Sequence, residues 1–197
     1  MLSRTRRRKL SSHLSNNTSA SYDTFKAAGV VFTDGTHILA GYQPKKSAPF
    51  VSGIGGKREE DETYGITAIR EMIEELYEVK IIKNKSFMSL YKKIVENVMP
   101  MKVLKTGTYI MLVYTFESLR TIMEIVRKHH VSSPLYDEMP ITLDDLIFTR
   151  KPMYGKNKIP EISHFAILPL VRHPTEYPFV DPYFIEDMDK LLPPKSA

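Results

Sequence analysis

Residues 55–78 read GGKREEDETYGITAIREMIEELYE, and the spacing of charged and apolar residues in this stretch decides the fold assignment. On a helix that turns about 100° per residue, Glu71, Glu74 and Glu75 lie within about 100° of one another. The apolar and small residues fall on the opposite side, where they would face a core: Gly65, Ile69, Met72, Ile73 and Leu76. We therefore predict a helix over residues 62–77 with one acidic face and one buried face.

The three carboxylates form a candidate metal site. Like charges one turn apart repel, and the pair Glu71 and Glu75 costs about 0.2–0.5 kcal/mol even when exposed. A divalent cation would offset this repulsion, and carboxylate oxygens favour Mg²⁺, Mn²⁺ or Ca²⁺. Gly55 and Gly56 just upstream would let the backbone approach a ligand closely and offer a carbonyl oxygen to the metal. The alternative interpretation is a solvated acidic helix face, since such faces are common.

The order of these residues resembles the Nudix box. Gly56 is followed after five residues by Glu62, and after seven more by Arg70-Glu71, an apolar residue, any residue and Glu74-Glu75. Every charged position of the box and its first glycine are filled, and weaker similarity extends over residues 25–172. The resemblance implies an α+β fold, an α/β/α sandwich in which helices flank a mixed, curved β-sheet.

The resemblance also implies a chemistry and a set of site residues. Nudix proteins hydrolyse a nucleoside diphosphate linked to another group, with Mg²⁺ or Mn²⁺ as cofactor. The resemblance assigns metal binding to the carboxylates of Glu71, Glu74 and Glu75 and to the backbone carbonyl of Gly55. It assigns catalytic roles to the same three carboxylates and to Arg70. Gly56 and Glu62 would be supporting residues, with Glu62 pairing with Arg70 at the start of the helix. One of the acids, or an acid outside the helix, would deprotonate the attacking water.

An additional acid is expected from a later part of the chain. Glu161 precedes a predicted strand at the place where some Nudix proteins carry a further metal ligand or base. Four other acids compete with it, and spacing does not separate them: Asp137, Glu138, Asp144 and Asp145.

The end of the box departs from the family pattern. Tyr77 stands where a glycine normally ends the helix in a left-handed conformation, and Glu78 follows where an apolar residue is usual. Tyr77 would adopt that conformation at a cost of about 1 kcal/mol or more. Alternatively, the helix runs on by about one residue. Either outcome would shift the following loop and the substrate pocket.

The rest of the chain predicts a mixed sheet packed with helices. A hairpin at Asp34-Gly35 should join strands over residues 26–33 and 36–42, with positive φ at both turn positions. Apolar and β-branched runs predict further strands over residues 79–83, 87–95, 108–116 and 162–170. Helical periodicity predicts a helix over 119–129, and Asp181-Pro182 should begin another that ends near 192. Residues 131–160 contain four prolines and are predicted to be irregular.

The formal net charge of +5 is localised at one end of the chain. The five cations Arg4, Arg6, Arg7, Arg8 and Lys9 account for all of it. We expect residues 1–22 to form a disordered basic arm, followed by a Nudix domain over 23–172 and a C-terminal extension with a short helix over 173–197. Such an arm can contact RNA, DNA or an anionic membrane surface through counterion release. A nuclear-import signal and a solubilising tail are the alternatives.

Composition excludes several classes of function. The chain has 197 residues, of which 42% are hydrophobic and 26% charged, which is typical of a globular protein. It contains no cysteine, so disulfides, thiol catalysis and cysteine-bound metals are excluded. No apolar stretch approaches the length of a membrane span, and no signal peptide is expected. We expect no membrane partner and a cytoplasmic location, with the nucleus or a virion as alternatives.

The first functional hypothesis is therefore a Nudix-type metal-dependent pyrophosphohydrolase. Its substrate would be a nucleotide or capped RNA, a nucleotide sugar or a dinucleoside polyphosphate, and the basic arm favours RNA. The alternatives are a catalytically inactive Nudix fold that binds nucleotide or RNA, and a structural or packaging protein. Loss of box carboxylates would favour the inactive alternative, and here none is lost.

Overall fold

The structure, a computed structural model, describes residues 24–44, 50–81, 84–152, 159–171 and 179–193. The predicted basic arm lies outside these residues. In the described ranges the strands are β1 (Ala27–Thr33), β2 (His37–Gln43), β3 (Phe50–Ser52), β4 (Ile54–Lys57), β5 (Lys102–Thr106), β6 (Tyr109–Thr115) and β7 (His164–Pro169). The helices are α1 (Tyr64–Tyr77), α2 (Lys85–Asn97), α3 (Phe116–Lys128), α4 (Leu143–Phe148) and α5 (Pro182–Leu191).

All of these strands belong to one mixed sheet. The order is β3-β2-β1-β6-β5, with β4 also pairing with β1 and β7 with β2. The pair β1 and β6 is parallel, from Ala27 opposite Tyr109 to Thr33 opposite Thr115, and the other pairs are antiparallel. A mixed sheet with helices confirms the predicted α+β class.

Helices cover both faces of this sheet. Because successive side chains of a strand point to opposite faces, β1 contributes Val30 and Phe32 to one core and Val31 to another. The first core also contains the buried faces of α1, α2 and α3. The second contains Phe184 and Met188 of α5. The result is the expected sandwich of helix, sheet and helix layers.

Helix α1 matches the prediction at both ends to within about a residue or two. The hydroxyl of its N-cap Thr63 accepts a hydrogen bond from the Ile66 N–H at 3.3 Å. The four large side chains of its predicted apolar face, including Met72 and Leu76, are fully buried, and Gly65 is half-buried. The left-handed residue that ends the helix is Glu78, with φ 50°, and not Tyr77. The helix therefore runs on to Tyr77, as the alternative interpretation of the missing glycine predicted.

Three sequence predictions between residues 79 and 160 are wrong. Residues 87–95 are not a strand but part of α2, whose N-cap Asn84 accepts hydrogen bonds from two backbone N–H groups. In the predicted strand at 79–83, residues 79–81 are neither helix nor strand, and 82–83 lie outside the described residues. The segment 131–160 is not wholly irregular, because a capping box between Thr142 and Asp145 begins α4.

The predicted hairpin and C-terminal helix are present. At the β1–β2 turn only Gly35 has a positive φ, and the Asp34 carboxylate instead accepts from the N–H groups of Thr36 and His37. Asp181 caps α5 as expected. The predicted boundaries at 22–23 and 172–173 fall outside the described residues and stay predictions. None of the helices in the described ranges has the length and apolar character needed to cross a bilayer.

Candidate active site

The acidic face of α1 lines a cavity of about 300 Å³. Its lining also includes residues beyond the helix end: Glu78, Val79, Lys80 and Glu161. The exposed fraction is 14% for the Glu71 side chain, 23% for Glu74 and only 2% for Glu75. A solvated acidic face would show far higher exposure, so that alternative interpretation is wrong.

Arg70 holds the acids of this helix together. Its Nε and Nη2 donate to the two carboxylate oxygens of Glu62, at 2.7 and 3.0 Å. Its Nη1 donates to Glu71 Oε1 and Glu74 Oε2, both at 2.8 Å. Burial raises the pKa of Glu62, but hydrogen bonds from Arg70, a backbone N–H and Thr67 outweigh it, so this pKa lies below its ordinary value. The predicted pair of Glu62 and Arg70 is therefore present, and the arginine also orients two of the proposed metal ligands.

The double glycine lies directly against the carboxylates. The Gly55 N–H donates to Glu75 Oε2 at 2.8 Å. A Cβ atom on Gly56 would lie 2.4 Å from the Glu71 carboxyl carbon, so a side chain there would displace the Glu71 carboxylate. Gly55 thus positions Glu75 through its backbone, and the absence of a side chain at Gly56 leaves room for the Glu71 carboxylate. A metal contact by the Gly55 carbonyl oxygen stays a prediction.

Glu71 and Glu74 have different surroundings. Burial raises the pKa of Glu71, and the charges of Glu74 and Glu161 raise it further against the lowering effect of Arg70. Glu74 Oε1 accepts a hydrogen bond from the Ile81 N–H at 2.8 Å, which ties the loop after the helix to the site.

Glu161 is the later acid that lies at this cavity. Its backbone N–H donates to Glu78 Oε2 at 3.2 Å. The competing acids lie elsewhere: Asp137, Glu138 and Asp145 line a separate cavity beside Arg127, and Asp144 lies in the first turn of α4. The metal-binding or base role of Glu161 stays a prediction.

Sequence reasoning missed Glu78. On a helical wheel it lies about 20° from Glu71, inside the same arc as the other acids. The signal was therefore present, but Glu78 was considered only as a departure from the box. In the structure it begins the loop on the rim of the cavity.

The donor set fits a hard divalent cation, since five carboxylates line one cavity. In the ranges that the structure describes, no three histidine or acidic side chains are already grouped as a ready-made ligand set. Each of the box acids Glu71, Glu74 and Glu75 accepts a hydrogen bond from the protein. Metal binding would therefore replace or supplement some of these hydrogen bonds.

No protein-family model matches the sequence, and no curated protein matches it. Among solved structures, a NUDIX-family hydrolase from Clostridium perfringens is 13% identical, with a TM-score of 0.39, over 86% of this chain and 96% of that one. A bifunctional NMN adenylyltransferase/ADP ribose pyrophosphatase from Francisella tularensis, complexed with AMP and a Mn ion, is 14% identical, with a TM-score of 0.36, over 87% and 38%. A mutT/nudix family protein from Listeria innocua is 17% identical, with a TM-score of 0.31, over 85% and 87%. Two of these three proteins belong to the family that the sequence resembles.

Proposed function

We propose that this chain is a Nudix-type pyrophosphohydrolase that uses Mg²⁺ or Mn²⁺ to cleave a nucleoside-diphosphate-linked substrate. The observation that carries the proposal is the acidic cavity, which contains the buried Glu75 and the half-buried Glu71 and Glu74. Glu71, Glu74 and Glu75 are held there at low exposure, and burying like charges is unfavourable unless something compensates for it. Arg70 compensates in part, and a bound cation would supply the rest.

The chain's own residues would divide the work as follows. Glu71, Glu74 and Glu75 would hold the cation, and one of them or Glu161 would take the proton of the attacking water. Arg70 would keep the Glu71 and Glu74 carboxylates in position through its hydrogen bonds to them. When bound, the cation would neutralise the pyrophosphate, lower the pKa of a bound water and stabilise the leaving group.

A second cavity, of about 330 Å³, suits the nucleoside part of the substrate. It lies on the face of the sheet that α5 covers, and Gly55 connects it to the acids because its backbone lines this cavity while its N–H donates to Glu75. The buried Asp187 at this cavity accepts from the Thr106 hydroxyl at 3.0 Å and offers a carboxylate to base N–H groups. The Tyr183 ring lines the same cavity and is exposed, so that a base can stack on it.

Replacing the exposed ring should weaken substrate binding. Stacking of a base on an aromatic side chain contributes about 1–3 kcal/mol, so Tyr183→Ala should raise KM about 5- to 150-fold with little change in kcat. Steady-state kinetics on a small nucleotide substrate measure this. Phe148→Ala is the matched control, because Phe148 is equally exposed but lies on α4. Equal KM values in the two variants would contradict the nucleoside site.

Divalent cations should stabilise the fold. A cation that binds only the folded state adds about 2.7 kcal/mol when its concentration is 100 times Kd. The melting temperature should therefore rise with Mn²⁺ or Mg²⁺, and this rise should vanish in the double variant Glu71→Gln/Glu75→Gln. The control is Glu96→Gln/Glu124→Gln, which removes two exposed helical acids. An undiminished shift in the first variant would place the cation elsewhere.

The proposed activity is tested by Mn²⁺-dependent release of products from nucleoside triphosphates, ADP-ribose, a dinucleoside polyphosphate and capped RNA. Hydrolysis of none of them, by a chain that binds nucleotide, would favour the inactive binding alternative.

The basic arm is proposed to add affinity for RNA only. Deletion of residues 1–20 should leave cleavage of a small nucleotide unchanged. The log–log salt dependence of RNA binding should become shallower by up to about 4, at about 0.7–0.9 per lost phosphate contact. Binding measured across a salt series checks this. An unchanged slope would leave the arm a targeting signal or a solubilising tail.

A further inference from the structure

A buried arginine closes the C-terminal end of the carboxylate helix. Arg150 comes from the segment after α4, and its guanidinium lies 4.6 Å from the centre of the Phe165 ring. Its Nη1 donates to the Leu76 carbonyl at 2.6 Å, and its Nη2 donates to the Glu75 carbonyl at 3.2 Å. Carbonyls in the last turn of a helix lack partners within the helix and carry partial negative charge. Arg150 satisfies two of them with a full positive charge.

This arrangement replaces what the missing glycine would have provided. A glycine after the helix lets the chain turn back so that its own N–H groups cover the last carbonyls. Here the Tyr77 carbonyl accepts instead from the Ser133 hydroxyl at 2.5 Å, and Arg150 covers the two carbonyls before it. The segment between α3 and β7 therefore ends this helix through side chains.

The same guanidinium also holds the opposite wall of the acidic cavity. Arg150 Nη2 donates to the Ile162 carbonyl at 2.6 Å, immediately after Glu161. Its Nη1 donates to the Tyr136 hydroxyl at 2.9 Å, which fixes the guanidinium in its plane. One side chain thus links the helix end that carries Glu75 to the residues that carry Glu161.

We propose that Arg150 is a positioning residue of the acidic cavity, which sets the separation between Glu161 and the carboxylates of α1. This role rests on the proposed function, since it matters only if those acids share a cation. In that function Arg150 would contact none of the reacting atoms. Only a planar, forked donor can reach carbonyls on both walls at once, so lysine is not an equivalent replacement.

The test is Mn²⁺ binding by Arg150→Lys, measured by calorimetry with the metal alone and therefore independent of turnover. Mutation of a residue that orients a metal ligand typically lowers metal affinity 10- to 100-fold. We expect Kd for Mn²⁺ to rise at least about tenfold, and the Mn²⁺ concentration for half-maximal activity to rise with it. Tyr136→Phe removes only the hydroxyl that fixes the guanidinium and should raise Kd for Mn²⁺ about threefold. This variant tests the proposal if Arg150→Lys does not fold.

Two controls separate positioning from general stability. Ile94→Val removes a methyl group from the fully buried side of α2, which destabilises the core and should leave the Mn²⁺ affinity unchanged. Arg120→Lys changes an exposed arginine on α3 and should also have no effect. Wild-type Mn²⁺ affinity in both Arg150→Lys and Tyr136→Phe would overturn the proposal for Arg150 but not the proposed function. A wild-type chain that binds no Mn²⁺ would overturn the proposed function together with it.

Discussion

Glu75→Gln and Glu71→Gln should each lower kcat/KM by at least about 100-fold, which corresponds to about 2.7 kcal/mol of transition-state stabilisation. The physical reason is loss of an anionic ligand with almost no change of shape. A glutamine at position 75 can still accept the hydrogen bond from the Gly55 N–H with its amide oxygen. Removing one of three like charges also relieves repulsion within the helix turn. The free energy of unfolding without metal should therefore not fall.

The measurement is paired, with kinetics at saturating Mn²⁺ and urea unfolding of the same preparations. Glu96→Gln is the matched control, since Glu96 is an exposed helical acid on α2 and its loss should leave both quantities unchanged. Wild-type activity in both Glu75→Gln and Glu71→Gln would remove the metal-site assignment. A large loss of stability in either variant would show that the acids are structural.

The carboxylate helix was predictable because two independent patterns agree on it. The apolar period and the charged spacing both specify a helix over nearly the same residues, and the structure differs only at the N-terminal end. Helix α2 was misread because apolar residues such as Met88 and Val95 occur on its exposed side as well as its buried side. Apolar residues on both sides of the helix give a sequence pattern that is also typical of a strand. The Asn84 cap was nevertheless a local signal for a helix.

The burial of the acids could not be predicted, because it depends on contacts between distant parts of the sequence. Arg150 reaches the carbonyls of Leu76 and Glu75 across 74 and 75 residues. The Glu161 backbone N–H similarly donates to the Glu78 carboxylate across 83 residues. Spacing along the chain carries no information about such pairs. The resemblance to the box could therefore predict which acids cluster on the helix, but not which later acid faces them.

Arg70→Met should destabilise the fold by about 3–5 kcal/mol, the usual cost of leaving a buried charge without its partner. The Glu62 side chain has no exposed surface, and Arg70 is the cation that pairs with both of its oxygens. The double variant Arg70→Met/Glu62→Gln should recover part of this loss, because it removes the stranded charge. Arg120→Met is the matched control. Its partner Glu124 is exposed, so the expected loss is at most about 1 kcal/mol.

The effect of Arg70→Met should also depend on pH. Because the pKa of Glu62 is lowered in the folded state, the pair stabilises the fold at neutral pH. That contribution is lost as the pH falls through the folded pKa, where Glu62 becomes neutral. The difference in unfolding free energy between wild type and Arg70→Met should therefore narrow as the pH is lowered below the ordinary range of a glutamate. Urea unfolding across an acidic pH series measures it, and a constant difference would mean that Arg70 stabilises the helix through packing and not through the charge of Glu62.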